Sequence, residues 1–390
     1  QRTQEWKDEY EGIIIDQLVA MGASCDFDRT RFTMDEICAN AVRHAFYTLF
    51  QDGLIYRGKR LVNWDPVSMT ALADDEVEME EVEGFMWYLK YPLDDGSGYV
   101  TVATTRPETM LGDTAVAVNP NDSLAKDLLG KMVRLPIVNR LIPIIADDYV
   151  IMTDRESEDS KARYASGFLK VTPAHDPNDW DIGLRHDLPV INIMGPDAKI
   201  SNQYGWKDVS EESSKFIGLT REAAREAIVE WFNSNNLLEE VRPYTHSVGH
   251  SYRSHVPIEP WLSSQWYVAV TDDRLRGSAL RAQNESQVPP LPDDVKKRSE
   301  LKGDGDLLFA PPRYARTYHS WHEGIRDWCI SRQLWWGHQI PVWVRLVPVE
   351  KSPVPLNTDG LDVGITIESE WTLKGAAHMV RKVGDDMIEE

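Results

Sequence analysis

Apolar residues recur at helical spacing near the start of this chain and at strand spacing through its middle. A first helix is expected over residues 6–21, stopped by Gly22. A second is expected over 35–58, where Ile37, Ala41, Ala45, Leu49 and Tyr56 fall near one face, with Thr33 as cap and Glu36 three residues on. Arg60 to Trp64 then reads as a strand ended by Asp65 and Pro66. From about 85 to 200 short β runs follow, at 86–91, 99–104, 115–118, 132–134, 141–145, 168–171 and 190–193. Strands this short and this regularly punctuated predict a compact barrel-like unit. A charged stretch at 153–166 interrupts it as a loop or short helix. A helix over 220–236, capped by Thr220 and carrying Ala223, Ile228, Trp231 and Phe232, closes the unit. β character returns over 255–269. Residues 284–312, rich in Pro, Asp, Lys and Gly, read as a mobile connection. Residues 313–344 are dense in aromatics (Trp321, Trp328, Trp335, Trp336, Trp343), and beyond 345 the pattern assigns nothing.

A chain of 390 residues holds two or three domains with cores of their own. It contains no run of 18 apolar residues, so no membrane partner is expected. The start, from Gln1 to Trp6, has no signal-peptide character and no initiator Met, which suggests an excised piece. Cys25, Cys38 and Cys329 are odd in number and lack a C-x-x-C pair, so a reducing, cytoplasmic setting is expected. The formal charge of −21 argues against nucleic acid. It is uneven, however: residues 241–346 hold 14 Lys+Arg against 11 Asp+Glu, a net of +3, and the rest carries −24. A nucleic-acid partner would meet local basic patches such as Lys296, Lys297 and Arg298, although charge alone favours a solvated loop for that trio.

Two polar strings carry the candidate chemistry. The first runs Ala103-Thr104-Thr105-Arg106-Pro107-Glu108-Thr109, the second Lys170-Val171-Thr172-Pro173-Ala174-His175-Asp176-Pro177-Asn178-Asp179. Thr105 and Glu108 fit a capping box with Pro107 in the first turn. Asp176 is placed as a cap, with Pro177 first in the helix and Asp179 in its first turn. Alternation sets Lys170 and Thr172 on one face of their strand. Either string alone reads as a capped helix start; together they suggest two N-termini, hydroxyls, carboxylates and a cation around one pocket. His175 is either a base or a brace for the turn. His246, His250 and His255 cluster without a four-ligand N/S set, so no metal is expected.

The first string, continued by Met110-Leu111-Gly112-Asp113-Thr114-Ala115-Val116, resembles the editing domain of valyl-tRNA synthetases, class I aminoacyl-tRNA synthetases. The second, followed by Ile182-Gly183-Leu184-Arg185-His186, is of the same type. Leu61-Val62-Asn63-Trp64-Asp65-Pro66 resembles the entry to that insertion, and the stretch from Trp328 to His338 resembles the return from it. The resemblance covers about 1–345. Where some relatives carry cysteine pairs, this chain has Asp65, Ser68, Ser251 and Ser254. It also departs from the family at 153–166 and at Ala165-Ser166-Gly167-Phe168-Leu169, on the pocket rim.

The resemblance implies an α/β fold: a β-barrel-like editing domain with flanking helices, inserted into part of a split Rossmann-type catalytic domain. The expected divisions are 1–60 and 284–390 for the catalytic parts, 61–85 and 243–283 for linker strands, and 86–242 for the editing domain. The implied reaction is hydrolysis of threonine misattached to tRNA(Val), by a positioned water. Asp176 would grip the α-amino group. Arg106, Thr109, Lys170, Thr172 and Asp179, with Thr104, Thr105, Glu108 and His175, would line the pocket. No cofactor is implied for editing; the full-length parent would use ATP and Mg2+. The implied partner is the 3′ aminoacyl end of tRNA(Val), and the expected state is a monomer. No H-I-G-H or K-M-S-K-S string is present, so valine activation is not expected of this chain. A tRNA-binding scaffold without catalysis is the alternative.

Overall fold

The computed structural model describes residues 1–123, 125–288, 305–343, 346–348, 381–382 and 387–389. The helices are α1 (Arg2–Ala20), α2 (Glu36–Gln51), α3 (Ala125–Leu128), α4 (Ser160–Tyr164), α5 (Pro177–Arg185), α6 (Glu211–Ser214), α7 (Arg221–Ser234), α8 (Ser278–Ala282) and α9 (Arg313–Gly324). The strands are β1 (Ile55–Asp65), β2 (Thr70–Leu72), β3 (Val77–Pro92), β4 (Tyr99–Thr104), β5 (Ala115–Val118), β6 (Met132–Arg134), β7 (Leu141–Ala146), β8 (Phe168–Val171), β9 (Leu238–Ser251), β10 (Glu259–Val268), β11 (Trp328–Cys329), β12 (Leu346–Pro348), β13 (Arg381–Lys382) and β14 (Met387–Glu389). The basic trio at Lys296, most of the 284–312 connection and nearly all of 345–390 lie outside the described residues.

Two long antiparallel ladders organise the chain. β3 pairs with β9 from Val77↔Ser251 to Leu89↔Leu238, and β1 pairs with β10 from Ile55↔Val268 to Trp64↔Glu259. The divisions read at 85/86 and 242/243 therefore cut β3 and β9 within their paired length. The β1–β10 pair belongs to an antiparallel sheet ordered β11-β10-β1-β2. Phe46 and Phe50 of α2 pack on one of its faces with Ile55, Trp266 and Val268. Val62, Trp64, Trp261, Tyr267 and Cys329 fill the other. The helical register of α2 differs from the expected one: Ile37 is exposed and the aromatic pair is inside. Aromatic burial outweighs the more frequent but smaller aliphatics. Asp35, not Thr33, caps this helix by accepting from the Cys38 amide, and the chain leaves helix at Gln51, so Tyr56 sits in β1.

The middle unit is not a closed barrel. It consists of a three-stranded sheet, β4-β3-β9, and a four-stranded sheet, β6-β7-β5-β8, that share one core. Leu89, Tyr91, Val100 and Val102 of the first meet Val116, Val118, Val133, Ile142 and Ile144 of the second, and Ile228 and Phe232 of α7 close the core. β5 is buried on both faces: Ala115 and Ala117 pack with Val171 and with Ile182 of α5. That double burial explains a run of four apolar residues without alternation. The run at 190–193 is not a strand; Ile193 is buried as part of an irregular segment. No doubly wound parallel sheet forms among the described residues: β5 and β7 are the parallel pair, and the sheet of β1 and β10 is antiparallel.

Asp65, Ser68, Ser251 and Ser254 form a hydrogen-bonded knot. Asp65 is fully buried and accepts from the Ser251 hydroxyl at 2.7 Å and from the Val67 and Ser68 amides at 2.9 and 3.0 Å. Burial works against its charge, but these donors prevail and hold it at about 2.

Candidate active site

β4 ends at Thr104 and β8 at Val171, so both polar strings leave the sheets at turns. The first turn is not the expected capping box. Thr104, not Thr105, accepts from the Arg106 amide at 3.0 Å, and residues Pro107–Gly112 form a buried 3-10 helix without a side-chain cap. Thr105 is half-buried. Glu108, instead of reaching back, is completely buried and gripped by Arg225 of α7 through two bonds of 2.9 Å. The second turn forms as expected: Asp176 Oδ1 accepts from the Asn178 and Asp179 amides at 2.8 and 3.3 Å, with Pro177 first in α5. Its own cap thus consumes the α5 N-terminal donors, so the site lacks the helix-end anion pocket the sequence suggested.

The two turns meet. Arg106 Nη1 donates to the carbonyl of His175 at 3.0 Å, one residue before Asp176. Its Nε reaches Glu108 at 3.2 Å and its Nη2 reaches Glu259 at 2.5 Å. Burial opposes the guanidinium charge, but Glu259 and Glu108 hold its pKa above the ordinary arginine value. Glu259, at the start of β10, also pairs with Arg221 at 3.1 Å. Burial would favour its neutral acid; Arg106 outweighs it and holds Glu259 at about 2. A strand of the outer sheet therefore sets the position of the site's arginine.

Below Arg106 lies a buried network. Lys170 Nζ donates to Thr109 Oγ1 at 2.7 Å, Thr172 Oγ1 at 2.6 Å and Asp113 Oδ1 at 3.3 Å. Thr172 donates to Asp113 Oδ1 at 2.6 Å, and Tyr91 to Asp113 Oδ2 at 2.8 Å. Thr109 donates to the Arg106 carbonyl at 3.0 Å. The Thr172 amide donates to Asp179 Oδ2 at 2.8 Å. Burial, and then the neighbouring Asp176 charge, push the Asp179 carboxyl up to about 7.

The His175 ring braces the turn. Its Nε2 accepts from the Ile193 amide at 3.1 Å, which places the ring proton on Nδ1, facing Glu259 at 3.7 Å. Burial lowers its pKa, so the neutral ring persists with its lone pair already engaged. Among the described residues no three His, Cys, Asp or Glu side chains gather to hold a metal ion. A cavity of about 550 Å³ lies apart from the network, between β1, β10 and α9; it reaches the site only at Pro177.

The model of class I tRNA synthetases (I, L, M and V) matches residues 1–357. The chain belongs to the class I tRNA synthetases. Within them it is similar to valine–tRNA ligases: 50% identical over 338 residues to that of Protochlamydia amoebophila and 46% over 343 to that of Geobacillus stearothermophilus. These alignments cover 87% and 88% of this chain but 31% and 34% of the relatives, so the chain spans about a third of their length. A LeuRS–tRNA complex from Agrobacterium radiobacter aligns over 58% of this chain and 34% of that one, at 18% identity and a TM-score of 0.29. In this synthetase chain no described helix is long and apolar enough to cross a membrane.

Motif reading missed Asp113, Tyr91, Glu259, Arg221 and Arg225. Asp113 carried a signal: a lone acid set between the apolar Met110-Leu111 and Ala115–Val118. The others are distant in sequence and gave none.

Proposed function

We propose that this chain carries the editing site of a valine–tRNA ligase and hydrolyses the ester of threonine misattached to tRNA(Val). A valine-shaped synthetic site rejects threonine only about 10²-fold, a figure established for valyl enzymes and not worked out from this chain, so a second, polar site is required. The observation that carries the reading is the Arg106–His175 contact, which sets a guanidinium beside Asp176 and above the Lys170 network. Asp176 Oδ2, with no donor on it among the described residues, is placed to take the substrate ammonium. Thr172, Thr109 and Asp179 take the threonine hydroxyl. The N–H groups that Arg106 has left stabilise the charge developing on the ester oxygen as a positioned water attacks. With His175 engaged, no side-chain nucleophile or imidazole base takes part.

The whole ligase would join valine to tRNA(Val) with ATP and Mg2+ in the cytoplasm, on a Rossmann-type domain that this insertion interrupts. The residues here do not include that site's signature strings, and no step is assigned to ATP or Mg2+ in this chain. The test is deacylation of Thr-tRNA(Val) at high protein concentration, with Asp176→Ala beside it. Hydrolysis by the parent that falls at least tenfold in the variant supports the reading; equal inactivity of both favours a tRNA-binding scaffold instead.

A further inference from the structure

Burial raises the Asp113 pKa while the Lys170 ammonium works against that rise; with Asp113 ionised beside Lys170, the hydrogen-bond directions in the buried network follow, and they say what kind of group it can receive. Lys170 has three N–H donors, and Thr109, Thr172 and Asp113 take them. Thr172 accepts from Lys170, so its own proton goes to Asp113. Thr109 accepts from Lys170 and gives its proton to the Arg106 carbonyl. Asp113 is fully buried and all three of its side-chain partners are donors. What the two hydroxyls have left is lone pairs. Asp179 adds a carboxyl whose Oδ1 has no donor on it among the described residues and which joins the acceptors when it ionises, near pH 7.

We propose that Asp113 is a specificity-determining positioning residue: by drawing the Thr172 proton and a Lys170 donor inward, it leaves a floor of acceptors that selects a side chain able to donate a hydrogen bond. This rests on the editing reading above and extends it. Asp113 touches no substrate. It sets the polarity of Thr172, which does. Threonine, with a donor hydroxyl, satisfies the floor; valine leaves the lone pairs desolvated and unpaired. A fluorine in place of the hydroxyl keeps the size, removes the donor and turns negative density toward the lone pairs.

The test compares hydrolysis of tRNA(Val) charged with threonine and with its isostere 2-amino-3-fluorobutanoate. The parent chain is expected to favour threonine at least roughly tenfold, the consequence of one unpaired buried group. Asp113→Leu offers no acceptor to Thr172 or Lys170, frees the Thr172 proton to point outward, and is expected to bring the ratio within roughly threefold. An unchanged ratio, with both rates reduced alike, would mean that Asp113 only holds the fold, and overturns the proposal. If the Leu variant loses its cooperative thermal transition, Thr172→Val and Thr172→Ser decide: Val is expected to collapse the ratio and Ser to keep it, and equal ratios in the two overturn the proposal. Should the parent hydrolyse neither ester, the editing reading itself fails and this inference fails with it, an outcome distinct from an unchanged ratio.

Discussion

Asp179 is a buried carboxyl whose ionisation opposes folding, and its removal has a calculable signature. Only about 6% of the residue is exposed, it accepts one bond from the Thr172 amide, and Asp176 lies beside it. Its pKa rises from the ordinary 3.8 to about 7. A raised carboxyl pKa means that the folded state holds the proton more tightly than the unfolded one. The resulting stability is complete below pH 3.8 and is lost as pH climbs through about 7. At about 1.4 kcal/mol per pH unit the loss is at most roughly 4 kcal/mol. Asp179→Asn keeps the acceptor for Thr172 and cannot ionise. Its stability relative to the parent is therefore expected to increase between pH 4 and 8, with every other titration common to both chains. At a slope of about 3 kcal/mol per molar urea, the full effect moves the midpoint by roughly 1 M. The assay is urea unfolding at pH 4, 6 and 8, followed by tryptophan fluorescence. Midpoints of parent and variant that run parallel across this range would refute the reasoning.

Glu259→Gln leaves Arg106 and Arg221 without their shared carboxylate and is expected to cost about 3 kcal/mol at pH 7. Because Glu259 is held low, that cost should shrink as pH falls below 4.5 toward about 2, which an acid titration of unfolding checks. Arg225→Ala strips the bidentate partner from fully buried Glu108, and an equilibrium denaturation curve should show a loss of about 3 kcal/mol. Ser251→Ala removes one donor from Asp65 and should cost about 1–2 kcal/mol by thermal unfolding. His175→Asn is expected to leave the pH dependence of deacylation unchanged; the disappearance of a titrating limb near neutrality would restore the imidazole as a base.

The elements that were legible in the sequence are those whose local chemistry is self-sufficient. The Asp176-Pro177 start of α5 and the Thr220 cap of α7 satisfy their amides with side chains two or three residues away, so no distant partner is needed to see them. The short strands at 99–104, 115–118, 132–134 and 168–171 fell where turn residues bounded them. The family, too, was carried by strings of adjacent residues. Where a long-range partner competed, local signals failed. Thr105 and Glu108 spell a capping box, but Arg225, 117 positions further along, offers the buried carboxylate two charge-assisted bonds, which outweigh one backbone contact. His175 read locally as either a base or a brace, because the Ile193 amide that engages its ring is 18 positions away. Asp113 became the centre of the site only when β5 and β8 paired and Lys170 reached it over the Ala115↔Val171 register. The chain order thus fixes which groups are available and how each turn begins. Which protons they share is decided by the packing of two sheets, because hydrogen bonds buried away from water go to whichever partner the fold brings within 3 Å.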